Sequence, residues 1–356
     1  VRTDRQTFAW MLIGLGAVGL ALWLSLGQAE PTQRLQNLVF DLFQRAGPRS
    51  YDASVPVRVV DIDESSLREF GQWPWPRDRL AALTRRLAAF GARGVAFDIL
   101  FAEADRSSVD EIVKSIPDKG QKQALFLAFQ SQIPSNDADF AASLAVFPSV
   151  LGQTLTNRRE DGEATTKAIP AYAGDNPAIY ALPFAAGLNP IDRLAQSAVG
   201  LGAINLREEA DTIVRRVPLL FAQASREPRL VPSLDLELLR VAQVAGTVLV
   251  KSSNASGARA FGAHSGIIAI KCGDLIIPTD SSGAVRVHYA GFQPQRRISA
   301  AAFLRDDSLA EQVRDKIILV GASAAGLNDI RATPLSGIVP GIDIHAELLE
   351  NVLGGM

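Results

Sequence analysis

Carboxylates recur where apolar runs end: Asp61, Asp63 and Glu64 close the string VRVVDIDE, and Asp98 lies within GVAFDIL. In an open parallel sheet ligands bind beyond the carboxyl ends of the strands, so these acids are placed to converge on a pocket or a divalent cation. The same composition, Asp63-Glu64-Ser65-Ser66, also starts helices, because a carboxylate at the N-cap accepts the orphan backbone amides of the first turn. Capping and structural hydrogen bonding is the simpler of the two readings. Gly321-Ala322-Ser323-Ala324-Ala325-Gly326 follows the run KIILV and offers flexible backbone that suits an anion. It lacks the Lys-Ser/Thr of a phosphate-binding loop and the spacing of a dinucleotide fingerprint, so a close-packed strand-to-loop turn also explains its glycines. His264, His288 and His345 are not spaced as metal ligands within one element, and no serine stands in a nucleophile elbow. Trp73-Pro74-Trp75-Pro76-Arg77 is the most unusual local string: two prolines lock the backbone and two indoles supply rigid surface, as either a plug over a sheet or one wall of a pocket.

VRVVDIDES imitates the aspartate-x-aspartate start of haloacid-dehalogenase-type phosphotransferases, in which one acid is nucleophile and the next general acid. The imitation is partial. No later lysine and paired aspartates stand at a strand end, since Asp306-Asp307 follows the helix-like AAAFL. An exported metal-dependent phosphohydrolase using Asp61 and Asp63 is kept as an alternative of another class.

The elements that must position these residues begin with Phe8 to Leu26, nineteen residues without a charge. That is close to the roughly 20 needed to cross a bilayer as a helix. Arg2 and Arg5 precede it and Glu30 follows, so the positive-inside rule leaves the N-terminus in the cytoplasm and exports the rest. Cleavage as a signal peptide at Gly27-Gln28-Ala29 is the competing reading, and it exports the same residues. Between Pro31 and Ala46, Leu35, Leu38, Val39, Leu42, Phe43 and Ala46 form one helical apolar stripe, which must pack on its own domain, a partner copy or the lipid surface. Gly47-Pro48 ends that helix.

Beyond Pro56 short β-branched runs alternate with helical ones. Val57 to Ile62, a helix from Arg77 to Phe90 closed by Gly91, and a strand from Gly94 to Leu100 make a β-α-β unit. Ser149 to Gly152, Leu201 to Asn205, Ile213 to Leu220 and Lys316 to Val320 are further strands. From Thr247 to Tyr289 the runs are shorter, and Cys272-Gly273-Asp274 and Ser281-Ser282-Gly283 read as hairpin turns. The fold class is therefore α/β: an N-terminal transmembrane helix, then one large extracytoplasmic domain with a mainly parallel sheet and an antiparallel excursion. Polar segments at Asp105 to Asn136, Asn157 to Thr166 and Ser252 to Ser265 read as surface insertions.

Composition limits the function classes. The 356 residues are 47% hydrophobic, and 36 Lys and Arg balance 38 Asp and Glu. A chain this apolar builds a sizeable core, and one without a basic excess has no electrostatic footprint for nucleic acid. A lone cysteine, Cys272, excludes an internal disulfide framework and any multi-cysteine zinc site.

Six strings carry a family resemblance: VVDIDESSL, GQWPWPRDRLAALTRRLAAFGARGVAFDILFAEAD, GLGAINLREEADTIVRRVPL, IPTDSSGAVRVHYAG, KIILVGASAAGLNDIRATPL and PGIDIHAELLENVL. In this order, over about Asp41 to Leu353, they resemble the second type of CHASE domain, the cyclase and histidine-kinase associated extracellular sensory modules of bacteria. The resemblance implies a cytoplasmic N-terminus and anchor at 1–30, a juxtamembrane amphipathic helix at 31–48, an extracytoplasmic sensory domain at 49–353, and the start of a return to the inner membrane at 354–356. Its implied role is signal input to a cytoplasmic adenylate or guanylate cyclase, or to a histidine or Ser/Thr kinase. Two features depart from the pattern: Asp343 stands where the family more often has glutamate, and no return helices or catalytic domain lie in these residues. The implied partners are the membrane, a second copy of the chain in a homodimer, and an extracytoplasmic ligand of unknown identity. No cofactor and no metal are implied. The ligand pocket is expected among Asp61, Asp63, Trp73, Trp75, Arg77, Asp98, Asn205, Arg215, Ser323, Asp329 and His345, residues that serve the fold equally well.

Overall fold

Short runs rich in Val, Ile and Leu build the central sheet: β1 (Val57–Ile62), β2 (Gly94–Leu100), β3 (Ser149–Thr156), β4 (Ala186–Leu188), β5 (Gly200–Ala203), β6 (Arg297–Ser299) and β7 (Ile317–Ala322). The structure is a computed structural model that describes residues 30–114, 116–118, 120–121, 124, 135–224, 228–255, 266–327 and 329–355. The span expected at Phe8 to Leu26 and His264 lie outside these residues. Among the described residues no helix is long and apolar enough to cross a membrane.

Six strands run parallel in the order β6-β1-β7-β2-β3-β5, and β4 pairs antiparallel with the end of β3. The mainly parallel α/β sheet is the one expected. The β-α-β unit needs correction, because β1 and β2 are parallel but not neighbours: β7, from far along the chain, lies between them. The central slot of a parallel sheet is buried on both faces and selects a continuous apolar run such as IILVGA, wherever in the chain it arises.

Alternate residues divide the core. Val60, Ile62, Val95, Phe97, Ile318 and Val320 face one side, where α3 (Arg77–Ala89), α4 (Asn136–Ala145) and α6 (Ala300–Arg305) cover them. Leu80, Leu83 and Leu87 give α3 its apolar stripe, and Gly91 ends it with a φ of 78° that other residues adopt at a cost. Val57, Val59, Ala96, Val150, Ile317 and Leu319 face the other side, under α5 (Leu234–Ala242) and α7 (Gly341–Leu353). By the same alternation Asp61, Asp98 and Gly321 point toward α7.

The excursion is antiparallel as expected, but its connections differ. Val248–Ser252, Ile267–Cys272 and Leu275–Pro278 form a meander whose Cys272-Gly273-Asp274 turn is the expected hairpin. Ser281-Ser282-Gly283 is a turn but no hairpin: Ala284–Arg286 pairs with Arg216–Pro218. The single strand expected over Ile213 to Leu220 is divided. Arg216–Pro218 joins that ribbon, while Leu220–Gln223 enters another sheet between Arg229–Pro232 and Leu182–Phe184. The Leu219 amide donates to the Gly283 carbonyl at the junction, at 3.0 Å.

Two compact units part between Arg49 and Ser50. The first contains α1 (Glu30–Ala46), and the sheet lies in the second. Leu35, Leu38, Val39, Leu42, Phe43 and Ala46 fall on one face of α1, the apolar stripe expected from their spacing.

α2 (Glu64–Phe70) is capped by Asp63, whose Oδ1 accepts from the Ser66 amide at 2.8 Å and from the Ser66 hydroxyl at 2.6 Å. The hydroxyls of Ser65 and Ser299 add bonds of 2.9 and 3.0 Å, which tie α2 to β6. Burial pushes this carboxyl up, and the hydrogen bonds, Ser66 first, outweigh it and hold it below its usual value. Asp63→Ala should therefore cost about 1–2 kcal/mol, read as a lower thermal midpoint, with Asp63→Asn keeping most of it.

Candidate functional site

The expected pocket residues separate into a cleft on one face of the sheet and two charge networks on the other. Residues 72–77, which lead into α3, and residues 99–107, which leave β2, enclose a cleft of about 760 Å³. It opens beside the carboxyl end of β2, the position expected for ligands in such a sheet. Trp73, Trp75 and Arg77 all line it, with Phe101 and Glu103. The tryptophan string is plug and wall at once. The buried Trp75 donates its indole N–H to the Gly71 carbonyl at 3.0 Å and meets Phe70 and Trp73 edge to face, at 5.3 and 5.7 Å between centroids. Trp73 is only half-buried. Arg77 is committed to the fold: its amide donates to Asp105, its guanidinium pairs with Asp137 and the Glu103 carbonyl, and it lies 5.0 Å over the Phe101 ring.

Across the sheet, the Ser323 hydroxyl donates to Asp61 Oδ2 at 2.7 Å. Their third partner is Arg297, which the sequence reading missed; it bridges Asp61 to Asp343 of α7. Burial pushes the Asp61 carboxyl up, and Arg297 and Ser323 oppose that. Oδ2 of Asp61 is held by Arg297 and Ser323, and Asp63 caps α2.

Asp98, Asp329 and His345 form the second network, completed by Asp235 and Arg331. His345 Nδ1 lies 2.8 Å from Asp235 Oδ2, and both side chains are buried. Burial alone would lower the imidazole; the Asp235 carboxylate, with Asp98 and Asp329, reverses this and holds it at about 9. Asp98 has no hydrogen-bond partner among the described residues, and burial pushes it up to about 6 against the pull of His345. Asp329 pairs with Arg331 at 3.1 Å and packs on Gly341, where a Cβ would fall 2.1 Å from its carboxylate.

Two expected residues belong elsewhere. Asn205 bridges the backbone of Leu155 in β3, accepting at 2.7 Å and donating at 2.9 Å. Arg215 is buried between Glu209 and Asp211, at 3.0 and 2.7 Å. Among the described residues no group of three or more His, Cys, Asp or Glu is arranged to hold a metal ion.

Two deeply enclosed ion pairs were also missed. Arg296 meets Glu350 at 2.8 Å and Glu347 at 3.0 Å, with all three side chains at most 3% exposed. A signal was present: Asp343, Glu347 and Glu350 stand at i, i+4 and i+7 of a mostly apolar helix, matching the pair Arg296-Arg297. No curated protein and no solved structure matches this chain. The family model described as the CHASE2 domain matches residues 15–356. This chain therefore belongs to the CHASE2 domain family, extracellular sensory domains associated with signalling proteins.

Proposed function

We propose that this chain is the extracytoplasmic input domain of a membrane-bound signalling protein whose cytoplasmic output is an adenylate or guanylate cyclase. Membership of the sensory family over residues 15–356 carries the reading. The cleft supports a ligand as the input. Its volume falls within the roughly 300–1,000 Å³ of small-molecule sites, with Trp73 and Phe101 as apolar surface and Gln72, Glu103 and Arg106 as polar groups. A route to the output is supported by α7, which is clamped by Arg296, Arg297 and His345 just before the residues where a return to the membrane is expected. A ligand shifts such an element only by binding its two positions unequally. In this reading the uncharged run Phe8 to Leu26 is the membrane anchor.

The test is cyclic-nucleotide formation by membranes carrying the full-length protein, in cells moved from rich to minimal medium. Trp73→Ala and Phe101→Ala should change the ratio of output between the two media. Ratios equal to wild type would remove the cleft from the signal path. A gene that continues into neither a membrane span nor a cyclase would overturn the proposed output.

A further inference from the structure

The groups that line the cleft divide into those the protein already engages and those left open. Its formal charges cancel, Arg77 and Arg106 standing against Glu103 and Asp105. Each is also satisfied internally. Arg106 pairs with Glu103 at 2.6 Å, and Arg77 pairs with Asp137. Asp105 accepts from the Arg77 amide, the Ser107 hydroxyl and the Asn136 side-chain amide, at 2.7, 2.6 and 2.8 Å. The groups left open are neutral. Among the described residues, neither the exposed Gln72 amide nor the indole N–H of the half-buried Trp73 makes a hydrogen bond, and the backbone of Ala102 and Ala104 has no partner. We propose that the cleft binds a neutral saccharide, its ring against the Trp73 indole and its hydroxyls on the Gln72 amide and the neighbouring neutral groups. This deepens the reading of the cleft as a ligand site and rests on it.

Hydroxyls donate and accept at once, which suits open donors and acceptors set close together. The C–H groups of a sugar ring are slightly positive and an indole face is negative, so the two attract. Trp73 has a face to offer, because its ring contact among the described residues is the edge-to-face one with Trp75, at 5.7 Å. Phe101 has none to spare: Phe97 and Phe140 pack against it and Arg77 lies over it. Other occupants fit less well. An ionic ligand would find the charges already paired and its own unmatched. An extended peptide has no strand edge to join here, since β2 is flanked by β7 and β3. A purely aromatic ligand would cover the Gln72 amide and the Trp73 N–H without bonding to either.

The experiment is a ligand-observed NMR titration of the purified full-length protein in detergent. The probes are glucose, galactose, N-acetylglucosamine and cellobiose as neutral saccharides, glucuronate, galacturonate and glucosamine as charged ones, and indole as an aromatic. At least one neutral saccharide should bind saturably at up to millimolar concentration, and more tightly than the charged sugars and indole. Trp73→Ala and Gln72→Ala should each weaken it about tenfold. Gln72 is exposed, so its substitution spares the core, and a thermal midpoint equal to wild type verifies that the variant is folded. No saturable binding of any neutral saccharide, tighter binding of a uronate or of indole, or binding that both variants leave unchanged would each overturn the proposal. The ligand class and the role of the cleft in signalling fail separately. If Trp73→Ala alters the output ratio between media while no neutral saccharide binds, the cleft stands and the saccharide falls. If a neutral saccharide binds through Trp73 and Gln72 while that ratio equals wild type, the saccharide site stands and lies outside the signal path.

Discussion

Arg296→Met should destabilise the folded domain by about 3–5 kcal/mol, because it removes the cationic partner of two buried carboxylates. Arg296 meets Glu350 through two nitrogens, at 2.8 and 3.0 Å, and Glu347 through one, at 3.0 Å. Burial works against the guanidinium, but Glu347 and Glu350 more than compensate and raise it above its usual value. The side chain also lies 5.7 Å over the Tyr51 ring. Removing a partner is costly, whereas replacing the whole group by apolar residues is often neutral. The measurement is the urea midpoint of Arg296→Met beside that of the triple variant Arg296→Met, Glu347→Gln, Glu350→Gln. The triple variant should recover part of the loss. If the single substitution costs less than about 1 kcal/mol, the scale of an exposed pair, this account fails.

The domain should lose stability between about pH 6.5 and pH 9, and His345 should be the cause. Its folded-state value of about 9 lies above the ordinary 6.5, so the stability it contributes is complete below pH 6.5 and is lost as pH rises through 9. A shift of this size corresponds to a few kcal/mol. Asp98 acts in the same direction at lower pH. Raised from 3.8 to about 6, it favours the protonated form in the folded state, so stability is gained as pH falls through 6. Other carboxyls oppose this trend: Asp63, Asp105, Asp211 and Asp306 are held below their usual values by hydrogen bonds, and their stability is lost in acid. Urea midpoints at half-unit steps from pH 5.5 to 9.5 test the window. His345→Gln should flatten the slope between 6.5 and 9, whatever its effect on absolute stability; an unchanged slope would assign the titration elsewhere.

What was legible in the sequence followed from local physics. Val57 to Ile62 and Gly94 to Leu100 were readable as strands because continuous β-branched runs suit burial on both faces. The helix at Arg77 was readable from its leucine spacing, and Asp63 from the chemistry of capping. The three residues of the tryptophan string also share one cleft, because they are neighbours in sequence on a rigid segment. Other expectations failed where pairing is non-local. Nothing near β1 or β2 announces that β7 comes between them, and nothing near Ser281-Ser282-Gly283 shows that the next strand pairs with Arg216–Pro218.

The charged networks show the same division more sharply. By itself the sequence determined the α/β class, the family, the cap at Asp63 and the residue types at the strand ends, all set by periodicity, propensity and local hydrogen bonding. Only the tertiary structure decided that Asp61 answers to Arg297 and that His345 answers to Asp235 across two helices. A buried charge takes its partner from whatever the packed layers bring within about 3 Å, and packing joins residues that no local pattern connects.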